Sequence, residues 1–586
     1  MDRLTHRVIT VFVLLYSFAI AAQGTVSSNS NLSNTTGESL FVHINTSTFL
    51  TGETLYYKLY CLNPKDNTPS LISKIGYIEL IDANKQIVFK NKAYLDKGKG
   101  YGDFFIPTTL KTGNYKLIAY TKWMLNKGES PYYILDITII NPFTADESGT
   151  KESGASTAVA KKDSLKTGAP AMAHTTSEKP LVLELDKKTY ANREKVQLTL
   201  KSSSPEWKTG NYSVSIRKTD DLPILKQKNS EEFAREKPLA SIANPSNAAF
   251  LPELRGEFIS GKIISAKGQD VSNKPVSLSI PGKPFIFKLI KTNARGEFAF
   301  ILDKNPENSS AVIQVVDPSK ENFSIVLDDP ATVDASRLEF LPGFELPAIH
   351  KKAIEERSIA AQVENAYYSK KKDTIAHLSD PDIFMGSDAK EYVLDDYTRF
   401  PTLKETVTEV LIECHSRRKN NKLMIYLSND KINLDNYGPP LVLVDGLLLQ
   451  DTNEIFEYNV ANIHKVSLIN QPYIYGPKTF GGVISFETKT VDFQSKSEGS
   501  YNKKTTLLIP SYGKKYYAPD YQPGHDLKRI PDYRYQLLWN PEMTVKNNEE
   551  VLTFFTSDVT GEFEITIEGF TDSGMPVSLQ EKFEVK

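Results

Sequence analysis

The chain has 586 residues, long enough for roughly four globular domains. Its 70 Lys and Arg against 72 Asp and Glu leave a net charge of -2, which argues against a dedicated nucleic-acid binder with its basic excess. Two cysteines exclude a disulfide framework, while 29 Tyr and 29 Phe, cut by 31 Gly and 32 Pro, favour many strands and turns.

Arg3, His6 and Arg7 precede an apolar stretch from Val8 to Ala22. A basic start, a short apolar core and small residues predict a secretory signal over residues 1–22, cut near Ala21 or Ala22. The stretch falls short of the ~20 residues of a comfortable membrane span, so the mature protein is expected to be exported and peripheral to the membrane. Residues 23–39 are Ser/Asn/Thr-rich and read as a linker. Residues 144–180 carry too little apolar surface to offset their ordering entropy and read as a disordered linker.

The two linkers isolate residues 40–143, where short β-type runs recur between turn signals. They are Phe41–Asn45, Thr54–Leu62, Ile75–Asp82, Ile87–Ala93, Gly102–Ile106, Tyr115–Lys122 and Tyr132–Ile140. Leu55, Tyr57, Leu59 and Cys61 alternate, so one face is core and Cys61 a buried thiol. A repeat follows in residues 181–254. Thr48-Phe49 with Glu53 returns as Thr189-Tyr190 with Glu194, and Thr112-Gly113-Asn114-Tyr115 returns as Thr209-Gly210-Asn211-Tyr212. From Phe49 to Tyr115 the first copy spans 66 positions; from Tyr190 to Tyr212 the second spans 22. Either the second domain is shortened, or its matching strand sits elsewhere in the sheet.

Phe49-Leu50-Thr51-Gly52-Glu53-Thr54, Tyr77-Ile78-Glu79-Leu80-Ile81-Asp82 and the run Gly113–Met124 resemble macroglobulin-like domains, notably those of exported Bacteroidetes-type proteins. The Tyr after Gly is expected to lock a strand end by bonding backbone. In residues 255–330, Gly261-Lys262-Ile263-Ile264, Lys274–Ser279 and Gly296-Glu297-Phe298-Ala299-Phe300 resemble a carboxypeptidase regulatory-like sandwich, with a hairpin entering an edge strand.

Residues 331–495 change character. Ile354–Tyr368 is helix-compatible, and Leu403, Val407, Val410 and Leu411 fall on one helix face. Strands follow at Lys422–Leu427, Leu441–Val444, Lys465–Ile469 and Val483–Thr488. Val444-Asp445-Gly446, Ile463–Ile469, Tyr475-Gly476 and Gly481-Gly482-Val483 resemble the plug domain of TonB-dependent outer-membrane receptors. Ser467 and Ile412-Glu413-Cys414 depart from that pattern. About 90 residues follow Ser495, too few for a barrel. A plug-like α+β module without its own barrel, behind a helical lead-in, is therefore expected. Residues 496–586 read as a linker and a terminal macroglobulin-type sandwich. The expected fold class is mainly β, a multidomain chain of Ig-like, macroglobulin-like and transthyretin-like sandwiches around one plug-like module.

Chemistry is sparse. Cys414-His415 lie side by side on a strand and point to opposite faces, so they do not form a nucleophile pair. No His pair, thioester sequence, Ser elbow or phosphate loop appears, and Asp395-Asp396 reads as a solvated loop. No enzyme, cofactor or metal is expected. Ser164 and Thr374 sit in Asp-Ser/Thr-apolar triplets that resemble Bacteroidetes O-glycosylation sites. The first reading is a non-enzymatic envelope protein whose plug-like module docks on an outer-membrane partner, a β-barrel among the candidates. The contact would be the loop tip Tyr473-Ile474-Tyr475, expected to be exposed. The alternatives are a glycan or peptide binder for nutrient uptake, and a protease sensor without a thioester.

Overall fold

The computed structural model describes residues 37–586 apart from 128–131, 145–180, 237–248, 266, 304–305, 307, 330–332, 342–345, 376–383, 387, 523–528 and 546–547. The expected cleavage site at Ala21 and Ala22, and Ser164 of the linker, lie outside the described residues.

In the first sandwich, Thr54–Leu62 is the centre of a three-stranded sheet between Ser39–Ile44 and Lys99–Phe105. Leu55, Tyr57, Leu59 and Cys61 face the core as the alternation requires. From Tyr57 onward the other face is buried too, because it packs on the second sandwich. The facing sheet runs Thr48–Leu50, Tyr133–Ile140, Gly113–Tyr120, Ile75–Ile81, Ile87–Tyr94. All seven expected strands are present, with Thr48–Leu50 added in parallel to Tyr133–Ile140. Tyr115 locks its strand end as expected, its hydroxyl donating to the Lys111 carbonyl at 2.7 Å.

The second sandwich corrects the expected boundaries. Its three-stranded sheet is Leu181–Leu185, Lys195–Ser202, Glu549–Phe555. Its five-stranded sheet runs Thr189–Tyr190, Pro576–Val585, Gly561–Phe570, Asn211–Lys218, Gln536–Met543. Residues 181–218 and 536–585 are thus halves of one domain, not a shortened sandwich and a separate terminal one. The physical reason is closure: Val196, Leu198 and Leu200 find their facing core in Phe563, Ile565 and Ile567. Strand for strand the two sandwiches correspond in chain order, with residues 219–535 inserted between the fourth and fifth strands of the second. Glu53 and Glu194 accept from the Leu50 and Ala191 amides at 3.0 and 2.7 Å, so that part of the repeat is structural. Thr-Gly-Asn-Tyr instead precedes the third strand of the first five-stranded sheet and the fourth of the second. The 66- and 22-residue spacings therefore measure different things.

The third sandwich fills residues 257–327. Glu257–Ser265 lies between Glu297–Leu302, the expected edge strand, and Phe323–Leu327. Opposite run Ile286–Lys291, Pro275–Ile280 and Ser310–Val315, and the last of these pairs with Asn502–Thr506. This sandwich is therefore interrupted as well, by a five-stranded module in the order Lys390–Val393, Ile463–Ile469, Val483–Thr488, Leu441–Val444, Leu447–Leu448. The Leu403–Glu409 helix starts at a capping box of Thr402 and Glu405 and buries Leu403 and Val407. The expected lead-in forms the helix Lys351–Ala366, but it packs at the junction of the first two sandwiches. The chain is mainly β, built of sandwiches nested one within another.

Candidate functional site

Cys414 and His415 do not cooperate. Burial pushes the Cys414 thiol well above its ordinary range, away from the reactive thiolate. The His415 ring turns to Ser428, with Nδ1 2.9 Å from its hydroxyl. Asp395 is held by Arg399 within a short turn. Among the described residues, no group of three or more His, Cys, Asp or Glu gathers to hold a metal.

Of the motif residues, Gly446, Tyr475 and Gly476 form a seam against the third sandwich, while Gly481 and Gly482 pack within their own module. Val444 ends a fully buried strand parallel to Val483–Thr488. Asp445 and Gly446 then turn with φ of 49° and 86°, the left-handed pair that a tight hairpin needs. The Asp445 carboxylate accepts from the Thr488 amide and hydroxyl at 2.8 and 2.6 Å. Burial raises its pKa, and those two bonds oppose the rise. A side chain at Gly446 would strike Phe285, with its Cβ 2.3 Å from that residue. A Cβ at Gly481 or Gly482 would meet the carbonyl of Gly438 or Ile469 at 2.4 Å.

The loop tip is a correction. Tyr473–Tyr475 pairs with Lys478–Phe480 in a hairpin that lies on the third sandwich, not in solvent. Tyr475 donates its hydroxyl to the Phe287 carbonyl at 2.6 Å and stacks on that ring at 5.4 Å. Tyr473 donates to the Phe384 carbonyl at 2.7 Å, and a Cβ at Gly476 would meet the Leu289 carbonyl at 2.2 Å. Only Ile474 of the three points outward, 76% exposed. The tip reads as exposed in sequence because its apolar partners, Phe285, Phe287 and Leu289, come from another domain. Thr374 is exposed, in a two-residue strand paired with Lys514–Lys515.

A cleft of about 600 Å³ opens where the first sandwich, the second sandwich and the Lys351–Ala366 helix meet. Arg357, buried on that helix, joins all three. Its guanidinium forks onto Glu53 with two contacts of 2.7 Å, reaches Asp220 at 2.9 Å and donates to the Thr48 carbonyl at 2.7 Å. Burial pushes the Glu53 carboxyl up, but Arg357 and then Arg217 outweigh it and hold its pKa at about 2. Around the cleft, Lys371 pairs with Glu364, Lys514 with Asp103 and Asp373, and Arg534 with Asp532. Every charged side chain lining the cleft thus has an opposite partner. Between them stand Tyr56, Tyr368, Tyr517, Tyr533 and Tyr535. Tyr368 and Tyr533 are 60% and 41% exposed. Among the described residues no partner takes the hydroxyls of Tyr368, Tyr517, Tyr533 or Tyr535. Sequence reasoning missed this site, although the pairs Tyr367-Tyr368 and Tyr516-Tyr517 and the Tyr533-Arg534-Tyr535 run are a visible compositional signal.

No protein-family model and no curated protein matches the sequence. Among solved structures, Salmonella alpha-2-macroglobulin reacted with methylamine aligns over 94% of this chain and 39% of its own, at 10% identity and a TM-score of 0.23. Escherichia coli alpha-2-macroglobulin activated by porcine elastase aligns over 94% and 44%, at 10% identity and 0.24. Dimeric latent PorU from Porphyromonas gingivalis aligns over 50% and 33%, at 9% identity and 0.16. The chain spans about two fifths of the length of the bacterial macroglobulins it matches.

Proposed function

We propose that the chain is a non-enzymatic binding protein, exported and associated with the outer membrane, whose three-way cleft holds a neutral oligosaccharide. The observation that supports this reading is the five-tyrosine lining among mutually paired charges. Flat rings, four of them with hydroxyls that no described residue takes, offer stacking faces and hydrogen-bond donors. Walls without an uncompensated charge favour a neutral, polyhydroxylated ligand over an ionic one. The volume lies inside the ~300–1,000 Å³ range of small-ligand sites. Docking of the plug-like module on an outer-membrane partner would have to use faces other than Tyr473 and Tyr475, which the third sandwich occupies.

The test is a screen of neutral and charged oligosaccharides against the full mature chain, followed by calorimetry. Tyr368→Ala and Tyr533→Ala should each weaken binding of a neutral hit at least tenfold while the thermal transition stays in place. Binding of charged oligomers alone, or a hit indifferent to both substitutions, would sink the reading.

A further inference from the structure

The strand Ser39–Ile44 lies at the edge of its sheet and pairs only with Thr54–Leu62. In an antiparallel pair, bonded and non-bonded positions alternate, which fixes where the edge strand's backbone groups point. The Cys61 amide donates to the Gly98 carbonyl at 2.7 Å, on the far side of Thr54–Leu62, so its partner Leu40 is a non-bonded position. The Asn45 amide donates to the Tyr56 carbonyl at 3.3 Å, so Asn45 is a bonded one. Val42 and Ile44 follow the parity of Leu40 and turn both N–H and C=O outward. No described residue takes those groups. A cleft of about 500 Å³ runs along this edge, lined by every residue from Phe41 to Thr46. Its far side is residues 224–229, which form neither helix nor strand. That run is tied at one end by the Ser47 hydroxyl, which donates to the Leu225 carbonyl at 2.8 Å. At the other it enters the Ser230–Arg235 helix, where Phe233 meets the Phe41 ring at 5.4 Å. It therefore travels beside the strand, yet no backbone bond joins the two. The second sandwich adds a polar wall of Ser215, Thr566 and Gln580.

Charge does not choose the occupant, because both signs line the cleft and most are matched. Arg217 and Arg357 pair with Glu53, Arg357 also with Asp220, Lys226 with Glu232 and Lys228 with Glu236. Lys218 lies 4.9 Å from the Tyr535 ring centroid, and Glu568 accepts from Ser230 and Ser578. Glu564 sits opposite Arg217 on one neighbouring strand and Lys582 on the other. Burial holds the His43 pKa at about 3, so that ring stays neutral. What is left unmatched is backbone. A strand edge with free amides and carbonyls is the complement of another extended chain. We propose that this cleft binds an extended, uncharged, β-prone peptide of a partner protein as a strand added to Ser39–Ile44, held by the backbone groups of Val42 and Ile44. The site shares only Arg217 and Arg357 with the tyrosine-lined cleft and does not depend on the oligosaccharide reading.

The probe is a fluorescein-labelled octapeptide of alternating Thr and Val, capped at both ends and titrated into the full mature chain by anisotropy. Saturable binding of one peptide per chain is expected. N-methylation of every second amide removes the donors along one edge of the peptide and keeps every side chain. In at least one of the two frames it should weaken binding about tenfold or more, the loss of two hydrogen bonds. Val42→Pro removes an outward N–H that the fold does not use, in an orientation where an edge strand tolerates proline. It should weaken the peptide about tenfold as well; if it unfolds, hydrogen exchange on the parent chain decides alone. There the Val42 and Ile44 amides should exchange about tenfold or more faster than those of Phe41 and His43, and slow by a similar factor when peptide is added. No saturable binding, or indifference to both N-methyl frames, would overturn the proposal. So would Val42 and Ile44 amides already protected in the free chain, which would mean that the chain fills its own cleft. A dimer whose formation protects the same amides would give the edge to a second copy and overturn it too.

Discussion

Arg357 is the side chain whose removal should test the architecture most sharply. It sits on a helix that the sequence assigns to the plug-like region, yet its guanidinium closes the contact between the first two sandwiches. Glu53 belongs to the first sandwich and Asp220 to the start of the insertion in the second. Arg357→Ala leaves both carboxylates in a site where Arg357 itself is 2% exposed, with only Arg217 still facing Glu53 at 3.2 Å. Breaking a buried pair from one side costs about 3–5 kcal/mol, mostly the penalty of the stranded charge. That corresponds to a loss of roughly two to four powers of ten in any equilibrium that depends on the contact. Arg357→Lys keeps the charge but loses the fork, and should fall between the two.

The assay is cleavage at a protease site placed within residues 145–180, followed by size-exclusion chromatography at micromolar concentration. The first sandwich should stay with the remainder, because Phe41, Tyr60, Phe233 and Phe570 form a shared aromatic cluster. In Arg357→Ala it should separate. The pH dependence gives a second readout. Glu53 is held at about 2, below its ordinary 4.5, so its stabilisation is present above pH 4.5 and is lost as pH falls through 2. A gap of that size is worth about 3 kcal/mol. The acid loss should be flattened in Arg357→Ala. If that variant co-elutes intact and melts like the parent at pH 7, the keystone role is wrong.

Glu568, buried under the Ser230–Arg235 helix, has its pKa raised by burial to about 7, opposed by bonds from Ser230 and Ser578. Its stabilising, protonated state is therefore kept at low pH and lost as pH rises through 7. Glu568→Gln should remove a decline of about 3 kcal/mol between pH 4.5 and 8 in denaturant titrations; an unchanged pH profile would contradict this. Tyr475→Phe deletes one hydroxyl-to-carbonyl bond and should cost about 1 kcal/mol, seen as faster hydrogen exchange in Ile286–Lys291 with the module's own strands unchanged. Gly446→Ala should cost more than Tyr475→Phe by the same measure, since a Cβ there meets Phe285 and the backbone is left-handed.

Strands were legible wherever one face meets a core within the same stretch of chain. Leu55, Tyr57, Leu59 and Cys61 alternate because the first sandwich is contiguous, and their strand appears where the pattern places it. The Leu403–Glu409 helix was legible for the same reason: its stop, start and apolar face are all local. Domain boundaries were not legible, because Val196 and Ile567 are partners across more than 300 positions and no local pattern links them. The tyrosine-lined cleft failed for a related reason. Its five tyrosines come from four separate parts of the chain, and none of them alone marks a site. Tyr473 and Tyr475 were visible as a distinctive tip, but sequence could not say which domain covers it.

The nesting itself explains how so interrupted a chain can hold together. The second sandwich is broken between Asn211–Lys218 and Gln536–Met543, which are antiparallel neighbours, so the insertion replaces what would otherwise be a hairpin loop. Its ends stay together, the Lys218 amide donating to the Tyr535 carbonyl at 2.8 Å. The third sandwich is broken differently, between Phe323–Leu327 and Asn502–Thr506 of its two facing sheets, but its ends also stay together, the Ile325 amide donating to the Ser500 carbonyl at 2.9 Å. Replacing a turn by a flexible loop of roughly 300 residues would cost about 0.6 kcal/mol per doubling of length, some 3–4 kcal/mol in all. A folded insertion that holds its own ends side by side removes that cost before the outer strands pair. The same logic makes the inner contacts matter outward: the Asp445-Gly446 turn and the Tyr473–Tyr475 hairpin fix the innermost module on the third sandwich. Their rigidity is then passed to the second sandwich through two chain crossings only a hydrogen bond apart.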